Sequence, residues 1–331
     1  MATYKGIKGV NVETKASDPT VTEAAGTVWY NSTTSLLKYA IKGAGAWAAG
    51  GTLGTARYAM AACGLQTAAI AMGGAVPFKS QTETYNGSTW TEVADMVSGR
   101  HNGLGTGTQT AALYAGGSAG PGTPESLCET WNGSAWSEGN NLNEGKIALQ
   151  GAGITTAALS IGGSTNGPVP TYINNVETYN GTCWTEGTNL LQARGFGAAA
   201  GQGTTTASLY FGGIGPAPTS PVLDNTESYN GTSWTEVADL NTARENPAGS
   251  GTQTSAACFG GSTGSLTGAT EVWDGTSWTN STSLTPARGS LAGAGTAGAA
   301  LAISGPNASG AQGTCQEFTD PVYAIKTVTT S

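Results

Sequence analysis

The phrase VETYNGTCWTE, beginning at residue 176, belongs to a set of five near-copies, and a repeat of this regularity constrains the fold more than any other feature of the chain. The other copies are TETYNGSTWTE from 82, CETWNGSAWSE from 128, TESYNGTSWTE from 226 and TEVWDGTSWTN from 270. A partial copy, CQEFTD from 315, lacks the Trp, while Trp47 lacks an upstream copy, so the two complement each other. Successive Trp47, Trp90, Trp136, Trp184, Trp234 and Trp278 stand 43 to 50 residues apart. Each copy is preceded by a phrase closing on Gly: AIAMGG at Gly74, ALYAGG at Gly117, ALSIGG at Gly163, SLYFGG at Gly213, ACFGG at Gly261 and ALAISG at Gly305. Ahead of that stands a basic residue, Arg57, Arg100, Lys146, Arg194, Arg244 or Arg288, followed by small residues and a turn such as TQT.

Units of this length without apolar residues at i, i+3 and i+4 predict blades of four short strands, not helical solenoids. The first strand follows the basic residue, the second ends at Gly-Gly, the third carries Glu-x-aromatic and the fourth starts at Trp. Asn-Gly or Asp-Gly between the last two predicts a type I′ hairpin turn. Small residues suit inner strands crowded around an axis, and the Trp side chains are expected to fill the wider spaces between blades. Six Trp and six second-strand phrases predict six blades. The last takes three strands from 288 to 319 and its fourth from around Trp47, a clasp that joins the ends of the ring.

The Gly-Gly, Glu-x-Tyr and Trp at these spacings resemble kelch repeats, over about residues 47 to 320. That resemblance implies an all-β fold, a six-bladed kelch-type β-propeller over 36–331, with residues 1–35 as a short N-terminal extension. The phrases GTQTAAL, ETYNGSTWTE and LNTAR, with the opening MATYKGIKG and SDPTVTEAAGTVWYNS, resemble kelch-like virion proteins of marine bacteriophages. This implies a non-enzymatic structural protein of the virion, a tail fibre or capsid decoration that presents a propeller for host attachment. The alternatives are a bacterial kelch-type adhesion or carbohydrate-binding protein and, third, a propeller glycosidase.

Charge and composition narrow the partners. Charged residues are only 10% of the chain, net charge is −8, and Lys and Arg are scattered singly, so no basic face exists for nucleic acid. The N-terminus lacks the apolar core of a signal peptide, and the run LAGAGTAGAALAIS from 291 is too short and Gly-rich to span a bilayer. A protein made in a host cytoplasm and carried on the virion, without membrane insertion, is the expectation. Cys63, Cys128, Cys183, Cys258 and Cys315 form no CxxC pair and read as free thiols.

Neither catalysis nor a metal or cofactor is expected. His101 is the single histidine, whereas a copper centre of the galactose-oxidase type needs two. DGTSW at Asp274 lacks the residue that separates Asp from Gly in a sialidase Asp-box. Glu83, Glu129, Glu177, Glu227, Glu271 and Glu317 follow the repeat, as do the basic residues, which are expected to hydrogen-bond loop carbonyls near the axis. A catalytic residue has no reason to be copied into every blade.

Variation concentrates between the second and third strands, where AVPFKSQ, SAGPGTPES, STNGPVPTYINN, IGPAPTSPVLDN, STGSLTGA and GPNASGAQG differ freely. Variable loops on a rigid scaffold commonly build binding surfaces, and the candidates for a host glycan or protein are Phe78, Lys79, Pro121, Tyr172, Pro218 and Leu266. GTVWYNSTTSLLKYAI predicts a β-hairpin, and residues 1–35, with no core of their own, are expected to dock on other virion proteins. A homo-oligomer on the particle is expected, and DPVYAIKTVTTS at the end is left open as an extra strand.

Overall fold

A computed structural model of the chain describes residues 12–19, 27–42, 45–75, 78–166, 170–320 and 323–328. The fold is all-β and propeller-like, with no helix among the described residues and strands gathered into seven four-stranded sheets. The chain divides into two compact units, residues 1–46 with 320–331, and residues 47–319.

The larger unit holds six repeat sheets, the first five crossing up and down in chain order. Sheet one is Ala61–Leu65, Ala68–Met72, Thr82–Tyr85 and Trp90–Glu92. Sheet two is Leu104–Thr108, Ala111–Ala115, Cys128–Trp131 and Trp136–Glu138. Sheet three is Gln150–Ile154, Ala157–Ile161, Val176–Tyr179 and Trp184–Glu186. Sheet four is Ala198–Ala199, Ser208–Phe211, Thr226–Tyr229 and Trp234–Val237. Sheet five is Ala248–Thr252, Ser255–Phe259, Thr270–Trp273 and Trp278–Ser281. Sheet six is Ala292–Gly295, Ala300–Ile303 and Thr314–Thr319, with the early strand Ala46–Thr52 as its fourth member.

First strands of neighbouring sheets lie side by side from one to six, and the first strand of sheet six lies beside that of sheet one. Small residues permit this approach: a Cβ on Gly249 would meet the Ala199 carbonyl at 2.3 Å, and one on Gly293 the Gly249 carbonyl at 2.4 Å. A closed circuit of backbone hydrogen bonds runs through the entrances to the first strands. Ala59 donates to Ser290, Ser290 to Asn246, Asn246 to Phe196, Phe196 to Ala148, Ala148 to Asn102 and Asn102 to Ala59. All six residues hold φ between 47° and 58°. A side chain there costs about 1–2 kcal/mol, and each circuit hydrogen bond, worth about 0.5–1.5 kcal/mol, offsets part of it.

Gly-Gly has a sheet-to-sheet purpose. The second Gly donates its N–H to the carbonyl of the next unit's basic residue, as Gly74 to Arg100 (2.8 Å) and Gly213 to Arg244 (2.9 Å). On the first Gly a Cβ would collide with that same carbonyl, at 2.4 Å for Gly73 and 2.8 Å for Gly212. Unit six departs from the pattern: Ser304 stands in place of the first Gly at φ 57°, and its hydroxyl donates to the Arg57 carbonyl.

The hairpin between third and fourth strands differs from the expected type I′ turn. Tyr85 pairs with Trp90, leaving a four-residue loop in which Gly87 alone has positive φ, at 91°. Asn86 stays at ordinary φ because its side chain works instead: Oδ1 accepts the N–H groups of Ser88 (3.0 Å) and Thr89 (2.9 Å). Asp274 does the same for Thr276 and Ser277, and the hydrogen bond from the Thr276 hydroxyl, with those two backbone N–H groups, holds its carboxyl down at about 2.

The smaller unit is one sheet in the order Glu13–Lys15, Val28–Asn31, Leu36–Lys42 and Tyr323–Thr327. The expected hairpin forms between the two middle strands, and the first strand joins it in parallel. The boundary falls after Ala46 and not after residue 35, because Leu36–Lys42 pairs on both edges within this sheet. The C-terminal tail supplies the extra strand here and not in a repeat sheet. Residues 1–11 and 20–26 of the expected docking segment lie outside the described residues.

Asp18 fastens this sheet, accepting from the fully buried Trp29 indole (3.3 Å), from Asn31 (2.6 Å) and from Lys38. The Lys38 and Asn31 hydrogen bonds lower its pKa. A depressed folded-state pKa gives stability that is full above the ordinary aspartate value and lost as pH falls through the lowered one. Acid titration of the Trp29 indole N–H resonance, followed by NMR in the intact chain, should show no transition between pH 7 and 5. A transition is expected only below the ordinary aspartate range. Asp18→Asn should abolish this acid step, and a variant retaining it would show that another group controls the sheet.

Candidate binding surfaces

The charges of the repeat meet in one arrangement that sequence reading missed. Fully buried basic residues pair with the third-strand glutamates of their own units: Arg57 with Glu83, Arg100 with Glu129 (2.6 Å), Lys146 with Glu177 (2.7 Å), Arg194 with Glu227 (3.0 Å) and Arg244 with Glu271. Arg57, Arg100, Arg244 and Arg288 also donate to the expected carbonyls, as Arg57 Nε does to Gly73 and Arg244 Nη1 to Ala269, whereas among the described residues Arg194 has the ion pair and no such hydrogen bond. The other carboxylate oxygen accepts a backbone N–H from the connection entering the unit: Gly54, Val97, Asn143, Leu191 and Asn241, at 2.6 to 2.8 Å. Each glutamate therefore binds the start of its unit to its third strand. Burial pushes Lys146 down and Glu227 up, against the pull of their partners.

Unit six corrects the expected register. Gln316, not Glu317, takes the glutamate position, and its Oε1 accepts from Arg288 Nη2 at 2.8 Å. Burial lowers the Arg288 pKa, and among the described residues no carboxylate pairs with it. Glu317 instead accepts from the Tyr85 hydroxyl at 2.6 Å, across the seam between sheets six and one.

The Trp positions also join neighbours. Trp136 Nε1 donates to Thr82, Trp278 to Thr226 and Trp47 to Thr270, each in the preceding sheet. Trp136, Trp184, Trp234 and Trp278 are buried, and Trp47 and Trp90 are half-buried. In sheets one to five the Trp faces the third-strand aromatic across the hairpin, as Tyr85–Trp90 and Tyr229–Trp234 do at 4.9 Å. Turn glutamines form a further set of clamps: Gln109 donates to the Ala69 and Tyr85 carbonyls, and Gln66 to those of Ala300 and Phe318.

Among the loop candidates, Phe78, Pro121, Pro218 and Leu266 are exposed and Lys79 is half-buried. Tyr172 is a correction: it is only 8% exposed, packs edge-on to Phe196 at 6.4 Å, and fills the space over Gly195, where a Cβ would meet its ring at 2.8 Å. Its loop folds back through a bridge to Ser164, so the ring serves packing. Phe78 lies 5.0 Å from the half-buried His101 ring, whose Nδ1–H donates to the Ser118 carbonyl at 3.0 Å, and burial holds this imidazole below the usual histidine range. All five cysteines are free, with Cys183 alone exposed. Among the described residues, no three His, Cys, Asp or Glu gather as a metal site would require.

A cavity of about 470 Å³ opens at the opposite strand ends, between the turns that join first and second strands in sheets one to four. Leu65, Ala68, Ile154, Ala157, Gln109 and Gln202 contribute to its walls. The variable loops do not reach it, since they leave the second strands at their other ends. Neither a protein-family model nor a curated protein matches the chain.

Proposed function

We propose that the six repeat sheets are the blades of a kelch-type propeller and that the protein is a non-enzymatic surface component of a bacteriophage particle. The observation that carries this reading is the fate of the repeated charges. Five glutamates are each engaged by a buried cation and a backbone N–H, which commits them to the scaffold and leaves them unsuited to act as acid, base or nucleophile. Exposed variation is concentrated in the loops carrying Phe78, Pro121, Pro218 and Leu266. The likeness to kelch-like virion proteins supplies the setting, with residues 1–35 docking on other virion proteins and the loops turned to the host.

The test is sedimentation of intact, nuclease-treated particles followed by peptide mass spectrometry. The chain should band with the particles at fixed stoichiometry to the major capsid protein; recovery only in the soluble lysate would overturn the proposal. A carbohydrate-binding adhesion role is the second reading, favoured by the exposed Phe78 ring against His101. Glycan-array binding lost in Phe78→Ala, by a chain absent from particles, would favour that reading.

A further inference from the structure

The spacing between the basic residue and the second Gly of the repeat is broken once, at the axis. From basic residue to second Gly the interval is 17 residues in five units, but 19 in unit four, between Arg194 and Gly213. The two added residues lengthen the turn after Ala198–Ala199 and carry Gln202 to the ring opening. Its backbone N–H donates to the Gly251 carbonyl in sheet five, and its side-chain Nε2 donates to the Gly64 carbonyl in sheet one, both at 3.0 Å. Sheets one and four are opposite members of the circuit, so this side chain bridges the opening and stands in the wall of the 470 Å³ cavity.

The chemistry of that wall selects its ligand. Among the described residues no charged side chain lines the cavity, so a carboxylate or ammonium would lose its hydration without a partner. None of the lining residues described carries an aromatic ring, which removes the stacking face a sugar would use. Leu65 and Ile154, 49% and 51% exposed, offer aliphatic surface beside the Gln109 and Gln202 amides. The volume lies within the range of small-molecule sites, roughly 300–1,000 Å³. We propose that this opening is a binding site for a small neutral aliphatic molecule, of the size and polarity of a medium-chain alcohol. The site is separate from the variable loops and does not depend on the virion reading.

Titration of the whole protein with 1-octanol, followed by saturation-transfer NMR, tests the assignment. Saturable binding is expected, with sodium octanoate and methyl glucoside each at least about tenfold weaker, for want of a cation and of a stacking face. Ile154→Asp should weaken octanol binding about tenfold or more while leaving the melting temperature unchanged, because Ile154 is half out of the core. Should Ile154→Asp unfold the chain, Leu65→Asn, another exposed position, replaces it with the same expectation. Non-saturable octanol uptake, octanoate or glucoside binding as tight as octanol, or wild-type affinity in the folded variant each overturns the proposal.

Discussion

Glu271→Ala is expected to destabilise the repeat unit by about 3–5 kcal/mol, the usual cost of leaving one member of a buried ion pair without its partner. Three groups lose their acceptor together: the Arg244 guanidinium, the Asn241 backbone N–H and the Asn241 side-chain amide. Arg244 keeps the Gly260 and Ala269 carbonyls, but its charge then lies fully buried with no counter-charge. Differential scanning calorimetry should record a fall in Tm of roughly 5–9 °C. Glu271→Gln should cost much less, because unit six already works with an amide: Gln316 accepts from Arg288 in the same place. Combining Glu271→Leu with Arg244→Met should recover most of the loss, since an apolar replacement of both partners removes the desolvation cost along with the attraction. An alanine variant within about 0.5 kcal/mol of wild type, the ordinary scatter of surface substitutions, would show that the pair fastens nothing.

The second large effect concerns the strand Ala46–Thr52. A chain starting at residue 45 keeps it, and one starting at residue 54 loses it together with Leu53. Trp47 packs 5.2 Å from Phe259 and 5.1 Å from Phe318, and its indole donates to Thr270 in sheet five and to the Thr282 carbonyl just beyond that sheet's last strand. Truncating such an aromatic costs about 3–5 kcal/mol by itself. Losing the strand also strips Thr314–Thr319 of its outer neighbour and leaves an open edge that invites intermolecular pairing. The shorter chain should therefore melt more than about 10 °C lower and aggregate, while the longer one melts like wild type. Matching melting curves for the two truncations would sink the idea that this early strand completes sheet six.

How far the sequence carries can be judged from particular residues. Gly-Gly and Trp recur because each marks a fixed place in a repeating unit, so strand order and the split sixth copy could be read from spacing alone. Asn86 was legible as a turn residue, but its four-residue loop was not. Whether Asn supplies positive φ or a side-chain acceptor depends on which residues pair beyond it, and that pairing belongs to the sheet. Tyr172 shows the same limit: a Tyr in a Pro-rich variable loop reads as exposed until Gly195 is seen to leave room beneath it. The two-residue lengthening of unit four was present in the spacing all along, yet its meaning required knowing that sheets one and four face each other.

The sequence by itself determined the all-β class, the number of repeated units and the division between constant scaffold and variable loops. These follow from periodicity, and a period is a local property of the chain. Only the tertiary structure decided that Arg244 and Glu271 form a buried pair, that Gln316 replaces the sixth glutamate, that the tail strand joins the N-terminal sheet, and where Gln202 lies. Such pairings depend on distances in space between residues tens to hundreds of positions apart, and packing sets those distances while spacing along the chain does not.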